Sequence, residues 1–209
     1  MSMLDVLLGA EDRAAKRLFG LVVGVVTNNT DPDGLGRVKV RFPWLSNSEE
    51  SHWARVAGPG GTYFLPEVEN EVLIGFEHGD PRFPYVLGVL WNGKDKPAGS
   101  NSDGKNNLRL IKSRSGHLVK LNDEDGKETI EIIDKSGKNS IVIDTAKNTL
   151  TITIEKDITL SAPKGTITLE AKQIEIKSSD KTEVLSDKAD INVKAGGNLN
   201  LNGTAVNIN

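Results

Sequence analysis

The chain has 209 residues, a net charge of −3 and no cysteine, so disulfide bonds and thiol-based sites are excluded. Acidic and basic residues are interleaved without a basic patch, which argues against nucleic acid as a partner. Hydrophobic residues make up only 37% of the chain and aromatic residues 5%, and every aromatic residue lies before position 92. A conventional core is therefore expected only in the first half of the chain.

Residues 1–20 are predicted to form a short helix that ends at Gly20. Leu4, Leu7, Leu8 and Leu18 follow helical spacing and would form one apolar face. This face either packs on its own domain or docks to a partner. The segment has no continuous apolar stretch of the kind that signal peptides carry, and no run in the chain is long enough to span a bilayer.

Residues 21–92 are predicted to form a barrel of five short strands. The second strand shows the clearest alternation, with Val38, Val40 and Phe42 on one face and basic residues on the other. Five short strands with one apolar face indicate a small closed barrel of the OB type. The predicted strands are 21–27, 36–42, 52–57, 71–77 and 85–91.

Residues 93–107 are polar and rich in glycine, and we interpret them as a linker between the barrel and a second domain, residues 108–209. That domain begins with four predicted strands separated by fairly long turns, at 108–112, 117–121, 129–133 and 140–143. These strands are expected to lead into a more regular fibre.

The last third of the chain repeats a pair of apolar residues, two positions apart, about every eight residues. Spacing of two places both side chains on one face of a strand. A unit of eight residues is too short to fold alone, and one chain would leave an apolar stripe exposed to water. The proposed core residues are Leu150, Ile152, Ile158, Leu160, Ile167, Leu169, Ile174, Ile176, Ile191, Val193, Leu199 and Leu201.

Several copies that wind together would bury this stripe on a common axis. Burial of two aliphatic side chains contributes roughly 3–6 kcal/mol per unit, before chain entropy is subtracted. Threefold symmetry suits one strand per side of a triangle, so an intertwined homotrimer is predicted. A solenoid formed by a single chain is the alternative.

The barrel region also resembles a known family, the VgrG and phage baseplate V spike proteins. The resemblance rests on an ordered set of short segments followed by the eight-residue repeat. These segments include Asp31-Pro32, Gly36-Arg37-Val38-Lys39-Val40-Arg41-Phe42-Pro43-Trp44, Trp53-Ala54-Arg55-Val56, residues 66–72 and 75–81, and Ser113-Arg114-Ser115-Gly116-His117.

The resemblance implies an all-β homotrimer in which an OB barrel precedes a triple-stranded β-helix. Such proteins are central spikes of contractile tails, joined to baseplate components and driven through a target membrane when the sheath contracts. Type VI secretion VgrG proteins usually carry a large hub domain before the barrel, whereas about twenty residues precede it here. A separate hub is therefore expected, docked by Leu4, Leu7, Leu8 and Leu18.

The last residues depart from spikes that end in an iron-binding His-x-His tip, because the final histidine is His117. Val206 and Ile208 are instead expected to dock a separate tip protein of the PAAR type. No cofactor or metal is expected. Assembly in the cytoplasm without a signal peptide, in a virion or injection-particle baseplate, is the expected localisation.

Catalysis is not expected, because the linker is too short to hold a lysozyme domain. Glu67, Glu69 and Glu71 are interpreted as a solvated strand edge, and the histidines lack metal-like spacing. Arg37, Arg55 and Arg82 are candidates for pairs between subunits. The alternative function is a tailspike-like β-helix that binds polysaccharide, which would need aromatic residues along the fibre; none follows Trp91.

Overall fold

The computed structural model describes residues 17–46 and 48–208, which fall into two units, Met1–Lys156 and Asp157–Asn209. Most of the predicted N-terminal helix, with Leu4, Leu7 and Leu8, lies outside the described residues. Its predicted end is wrong, since residues 17–20 are not helical. The backbone N–H of Leu18 instead donates to the carbonyl of Gly79 at 2.8 Å, which ties this segment to the barrel.

Five strands form the first sheet, close to the predicted positions. They are β1 (Val22–Asn28), β2 (Lys39–Arg41), β3 (Arg55–Val56), β4 (Glu71–Phe76) and β5 (Pro84–Val89). A single 3₁₀ turn, Glu77–Gly79, follows β4. β2 and β3 are shorter than predicted, because the neighbouring residues Val38 and Ala54 pair as an isolated bridge outside the strands.

That bridge closes the sheet into a barrel. The strand order is β2-β1-β4-β5-β3, with β3 parallel to β5 and the other pairs antiparallel. Val38 and Ala54 then exchange both backbone hydrogen bonds, at 3.0 and 2.7 Å, and so join the two ends of the order. Closure removes the open strand edges that would otherwise pair with other chains.

The barrel core is small and entirely aliphatic. Val38 and Val40 point inward as the alternation predicts, and Phe42 packs against them from the rim. Six of the seven core residues are valine or isoleucine and the seventh is Ala54, so the interior is filled without a polar group among the buried residues described. The buried residues are Val26, Val38, Val40, Ala54, Val72, Ile74 and Val86.

The glutamates predicted to share a strand edge do not do so. Glu67 and Glu69 lie in a tight turn, where the N–H of Asn70 donates to the carbonyl of Glu67 at 3.1 Å and Glu69 has a φ of 73°. Only Glu71 belongs to β4. The turn breaks the alternation, so the three carboxylates do not line one face.

A second five-stranded sheet follows the linker and is a simple antiparallel meander. Its strands are β6 (Leu108–Lys112), β7 (Leu118–Asn122), β8 (Thr129–Ile133), β9 (Ser140–Asp144) and β10 (Thr149–Thr153), each paired with its neighbours in chain order. Each strand has five residues, so the sheet is regular in width. The four predicted strands of this region are confirmed within one residue at each end.

The second unit differs from the meander. Within Asp157–Ile208 no residue is assigned to a strand, and every residue is exposed. The single chain therefore pairs its own strands as far as Thr153 and no further. The predicted β-helix of the eight-residue repeats stays a prediction.

Candidate functional site

The second sheet carries one face that is almost completely apolar. Residues directly opposite in antiparallel strands share a face, so the register decides which side chains meet. One row runs across all five strands and a second row lies beside it. The first is Ile111, Val119, Ile132, Ile141 and Ile152, and the second is Leu121, Ile130, Ile143 and Leu150. We call these nine residues the apolar face.

The apolar face is exposed, which inverts the usual relation between polarity and burial. In β8 the side chains of Ile130 and Ile132 are 43% and 52% exposed, whereas the alternate residues Thr129 and Glu131 are half-buried. Isolated exposed aliphatic residues are common on protein surfaces, but here eight of the nine side chains are exposed in one continuous patch and only Val119 is half-buried, which is typical of an association surface. A second layer of protein is needed to bury it.

The opposite face of the sheet is polar at its centre. Lys120 Nζ lies 3.0 Å from the Glu131 carboxylate, which also accepts a hydrogen bond from Thr129 Oγ1 at 2.6 Å. Burial opposes the charge on Glu131, but the hydrogen bonds from Thr129 and Lys120 prevail and lower its pKa. The cross-strand pair thus satisfies both charges on the half-buried face, so the two faces of the sheet differ in polarity.

The proposed core residues divide between the two units. Leu150 and Ile152 lie in β10 on the apolar face, where Leu150 is opposite Ile143 and Ile152 opposite Ile141. The others lie in the second unit, and all of them are exposed, as are Val206 and Ile208. We call the ten later core residues, from Ile158 to Leu201, the stripe.

Sequence reasoning missed most of the apolar face. The strands of 108–143 were predicted, but their side chains were not assigned to the core. The signal was present as apolar pairs two positions apart in three consecutive strands: Val119/Leu121, Ile130/Ile132 and Ile141/Ile143. Because the turns between these strands are longer, the apolar pairs recur about every eleven residues and do not match the eight-residue repeat of the last third of the chain.

The basic residues of the barrel are mostly paired within the chain. Arg37 contacts Asp31 at 2.7 Å, Lys39 contacts Glu50 at 3.2 Å and Arg41 contacts Glu69 at 3.4 Å. Arg82 lies 2.6 Å from Asp80, whose pKa is lowered to about 2 chiefly by that hydrogen bond. Arg37 and Arg82 therefore have carboxylate partners in their own chain, which the sequence did not indicate.

Two other features that would bear on function are a metal-ion cluster and a membrane-spanning helix. Among residues 17–46 and 48–208, no group of three or more histidine and carboxylate side chains is placed to hold a metal ion. The same residues include no helix that is long and apolar enough to cross a bilayer.

Comparison with known proteins agrees with this architecture. Residues 22–91 match the family model of the type VI secretion system/phage-baseplate injector OB domain. Over 155 residues the chain is 30% identical to the type VI secretion system spike protein VgrG1a of Pseudomonas aeruginosa, which covers 68% of this chain and 23% of that protein. It is 31% identical over 153 residues to VgrG1b of the same organism, covering 66% and 19%.

The chain is also similar to the actin cross-linking toxin VgrG1 of Vibrio cholerae, with 24% identity over 188 residues. That match covers 86% of this chain but 16% of the toxin. The chain thus spans less than a quarter of the length of each of these three relatives.

Proposed function

We propose that this chain, which belongs to the VgrG and phage baseplate V family of spike proteins, forms the central spike of a contractile injection machine as a homotrimer. The observation that carries the proposal is the exposed apolar face, which directly follows an injector OB domain in the chain. Three copies of the sheet, each with its apolar face toward a common axis, would bury all three faces at once.

The width of the sheet favours three copies. Strands of five residues are about 17 Å long, and stacked sheets pack about 10 Å apart, so each sheet needs about 5 Å to the midplane. A triangle with sides of about 17 Å has its centre about 5 Å from each side, whereas a square of that width has its centre about 8.5 Å away. Three sheets therefore fill the axis with side chains, and four would leave it empty.

The stripe extends the same principle toward the C-terminus. The segments between its apolar pairs are shorter than the turns of the meander. A single chain therefore has less room to fold back and pair one strand with the next. Strands from neighbouring copies would supply the missing hydrogen-bond partners, and their apolar pairs would meet on the axis. A spike built in this way has few loose edges, which suits a part that transmits force.

Two further partners complete the proposal. A separate hub would sit at the barrel end and contact the N-terminal segment through Leu4, Leu7, Leu8 and Leu18. A tip protein of the PAAR type would cover Val206 and Ile208, whose side chains are 51% and 83% exposed. The baseplate of a phage tail-like or extracellular injection particle is the proposed location, with the target membrane crossed transiently.

The proposed role is mechanical and not enzymatic. The relatives with the higher identities are named as spike proteins. The actin cross-linking toxin is aligned over only 16% of its length, so the alignment gives no ground to propose its named activity for this chain.

The first test is the mass of the whole chain in solution, by light scattering after gel filtration. A mass three times 22.6 kDa, with an elongated hydrodynamic shape, is expected. A compact monomer would overturn the trimer and leave a solitary solenoid. In that case the polysaccharide-binding alternative would be the next to test.

A further inference from the structure

The barrel carries a cleft of about 760 Å³ that the spike proposal does not use. The cleft is formed by the β1–β2 loop, by β3 and the residues before it, and by the turn that connects β4 to β5. In OB barrels these elements form the side that commonly binds ligands. Residues that line it include Arg37, Trp53, Arg55, Glu77, Phe83 and Tyr85.

Each aromatic ring of the cleft has a cation over it. The guanidinium of Arg55 lies 5.5 Å from the ring centre of Tyr85, and that of Arg82 lies 5.6 Å from Phe83. Trp53 has the Lys39 ammonium at 5.5 Å. These cation–π contacts fix the position of each cation against its ring.

Arg55 is the cation of this set that lacks an acidic partner. Arg37, Lys39 and Arg82 each form an ion pair with a carboxylate. Arg55 is exposed and forms no ion pair with any residue in the two described ranges, 17–46 and 48–208. The carboxylate of Glu77 is already engaged by the Tyr85 hydroxyl. The Arg55 guanidinium also hydrogen-bonds the side chain of Tyr85, so the cleft presents one guanidinium that has a neutral hydrogen-bond partner and no carboxylate partner among the described residues.

The ligand class follows from this arrangement. A single-stranded nucleic acid needs several free cations along a groove, and here all but one are neutralised. A sugar ring packs on an open aromatic face, and the three rings of the cleft carry cations. A single carboxylate, by contrast, matches a guanidinium fork through two parallel hydrogen bonds, with apolar wall residues such as Val56 and Leu35 beside it.

We propose that this cleft binds an acidic segment of a partner protein, in which a glutamate or aspartate pairs with Arg55 and a neighbouring apolar residue contacts the cleft wall. The cleft lies within a single barrel. The proposal therefore does not rest on the number of copies and goes beyond the role of the chain as a spike.

The test uses the full chain and a fluorescein-labelled hexapeptide of alternating glutamate and leucine, with binding followed by fluorescence anisotropy. The control peptide has glutamine in place of glutamate. Arg55→Gln is expected to weaken binding of the glutamate peptide at least about tenfold, because it removes a charge-assisted pair. Arg55→Lys keeps the positive charge but not the planar guanidinium. Its affinity for the glutamate peptide should therefore lie between those of the wild type and Arg55→Gln.

Arg114→Gln is the matched control, since Arg114 is an exposed arginine outside the cleft. This variant should bind the glutamate peptide as tightly as the wild type does. The melting temperature of each variant should be compared with that of the wild type, and equal values would show that the barrel is intact. Equal binding of the two peptides, no binding by the wild type, or an unchanged affinity in Arg55→Gln would overturn the proposal.

Tighter, Arg55-dependent binding of oligogalacturonate or of a ten-nucleotide oligothymidine would also overturn it in favour of those ligands. If Arg55→Gln instead lowers the mass measured by light scattering, the occupant is a second copy of this chain and the partner assignment is wrong. A monomeric wild type that still binds the glutamate peptide would contradict the trimer but keep this proposal.

Discussion

Arg37 and Asp31 form a two-pronged ion pair that holds the loop between β1 and β2. Arg37 Nε donates to one carboxylate oxygen of Asp31 at 2.9 Å and Nη2 donates to the other at 2.7 Å. The same carboxylate accepts the backbone N–H groups of Asp33, Leu35 and Arg37, and the side chain is only 3% exposed. The hydrogen bond from Arg37, more than any other contact, holds the pKa of Asp31 well below its ordinary value.

This relation predicts a pH-dependent effect of Asp31→Asn. Because the pKa of Asp31 is lower in the folded protein than the ordinary 3.8, its charge stabilises the fold above pH 3.8, and this contribution is lost progressively as the pH falls below it. At pH 7 the variant should melt several degrees below the wild type. The difference should narrow as thermal melts are repeated toward pH 3.

Asp33→Asn is the control for that series. Asp33 also contacts Arg37, but its side chain is 65% exposed, so its removal should lower the melting temperature less. A difference between Asp31→Asn and the wild type that stays constant down to pH 3 would mean that the carboxylate charge is not the source of the stability.

Ile132→Asp tests the apolar face. In a trimer the substitution would place three carboxylates near one axis, at a cost of several kcal/mol from desolvation and mutual repulsion. Light scattering should show loss of the trimer. Thr151→Asp, on the opposite face of the same sheet, should leave the mass unchanged. A trimer that survives Ile132→Asp would place the interface elsewhere.

Ile167→Asp tests the stripe separately, with the neighbouring Thr168→Asp as its control. The apolar face is intact in both variants, so the trimer should persist. The stripe should lose its packing only in Ile167→Asp, and limited proteolysis should then cut the variant after residue 157 faster than the control. Equal cleavage of the two variants would show that Ile167 is not part of a buried core.

Gly24→Ala tests the tightness of the barrel. A Cβ at Gly24 would lie 3.3 Å from Ile74 Cγ1 and 3.4 Å from the carbonyl oxygen of Arg41, so the core must shift to admit it. The expected loss of unfolding free energy is about 1–3 kcal/mol, measured by denaturant titration. Gly20→Ala, which has nothing within 4 Å, should cost far less. Similar losses in the two variants would indicate that the barrel has room at Gly24.

The sequence alone determined the all-β class, the five barrel strands and the four strands within residues 108–143. It did so because alternation at Val38 and Val40 and the glycine-rich breaks are local signals. The same alternation identified Leu150 and Ile152 as residues of one face. The bounds of β6 and β8 also follow from the local pattern.

Only the tertiary structure decided how those strands meet. Closure of the barrel depends on the bridge between Val38 and Ala54, two residues that no local pattern relates. The apolar face became visible only through the register, which sets Ile132 opposite both Val119 and Ile141. The lack of a carboxylate partner for Arg55 among the described residues emerged in the same way, since an ion pair between distant residues depends on distances in space that the sequence does not contain.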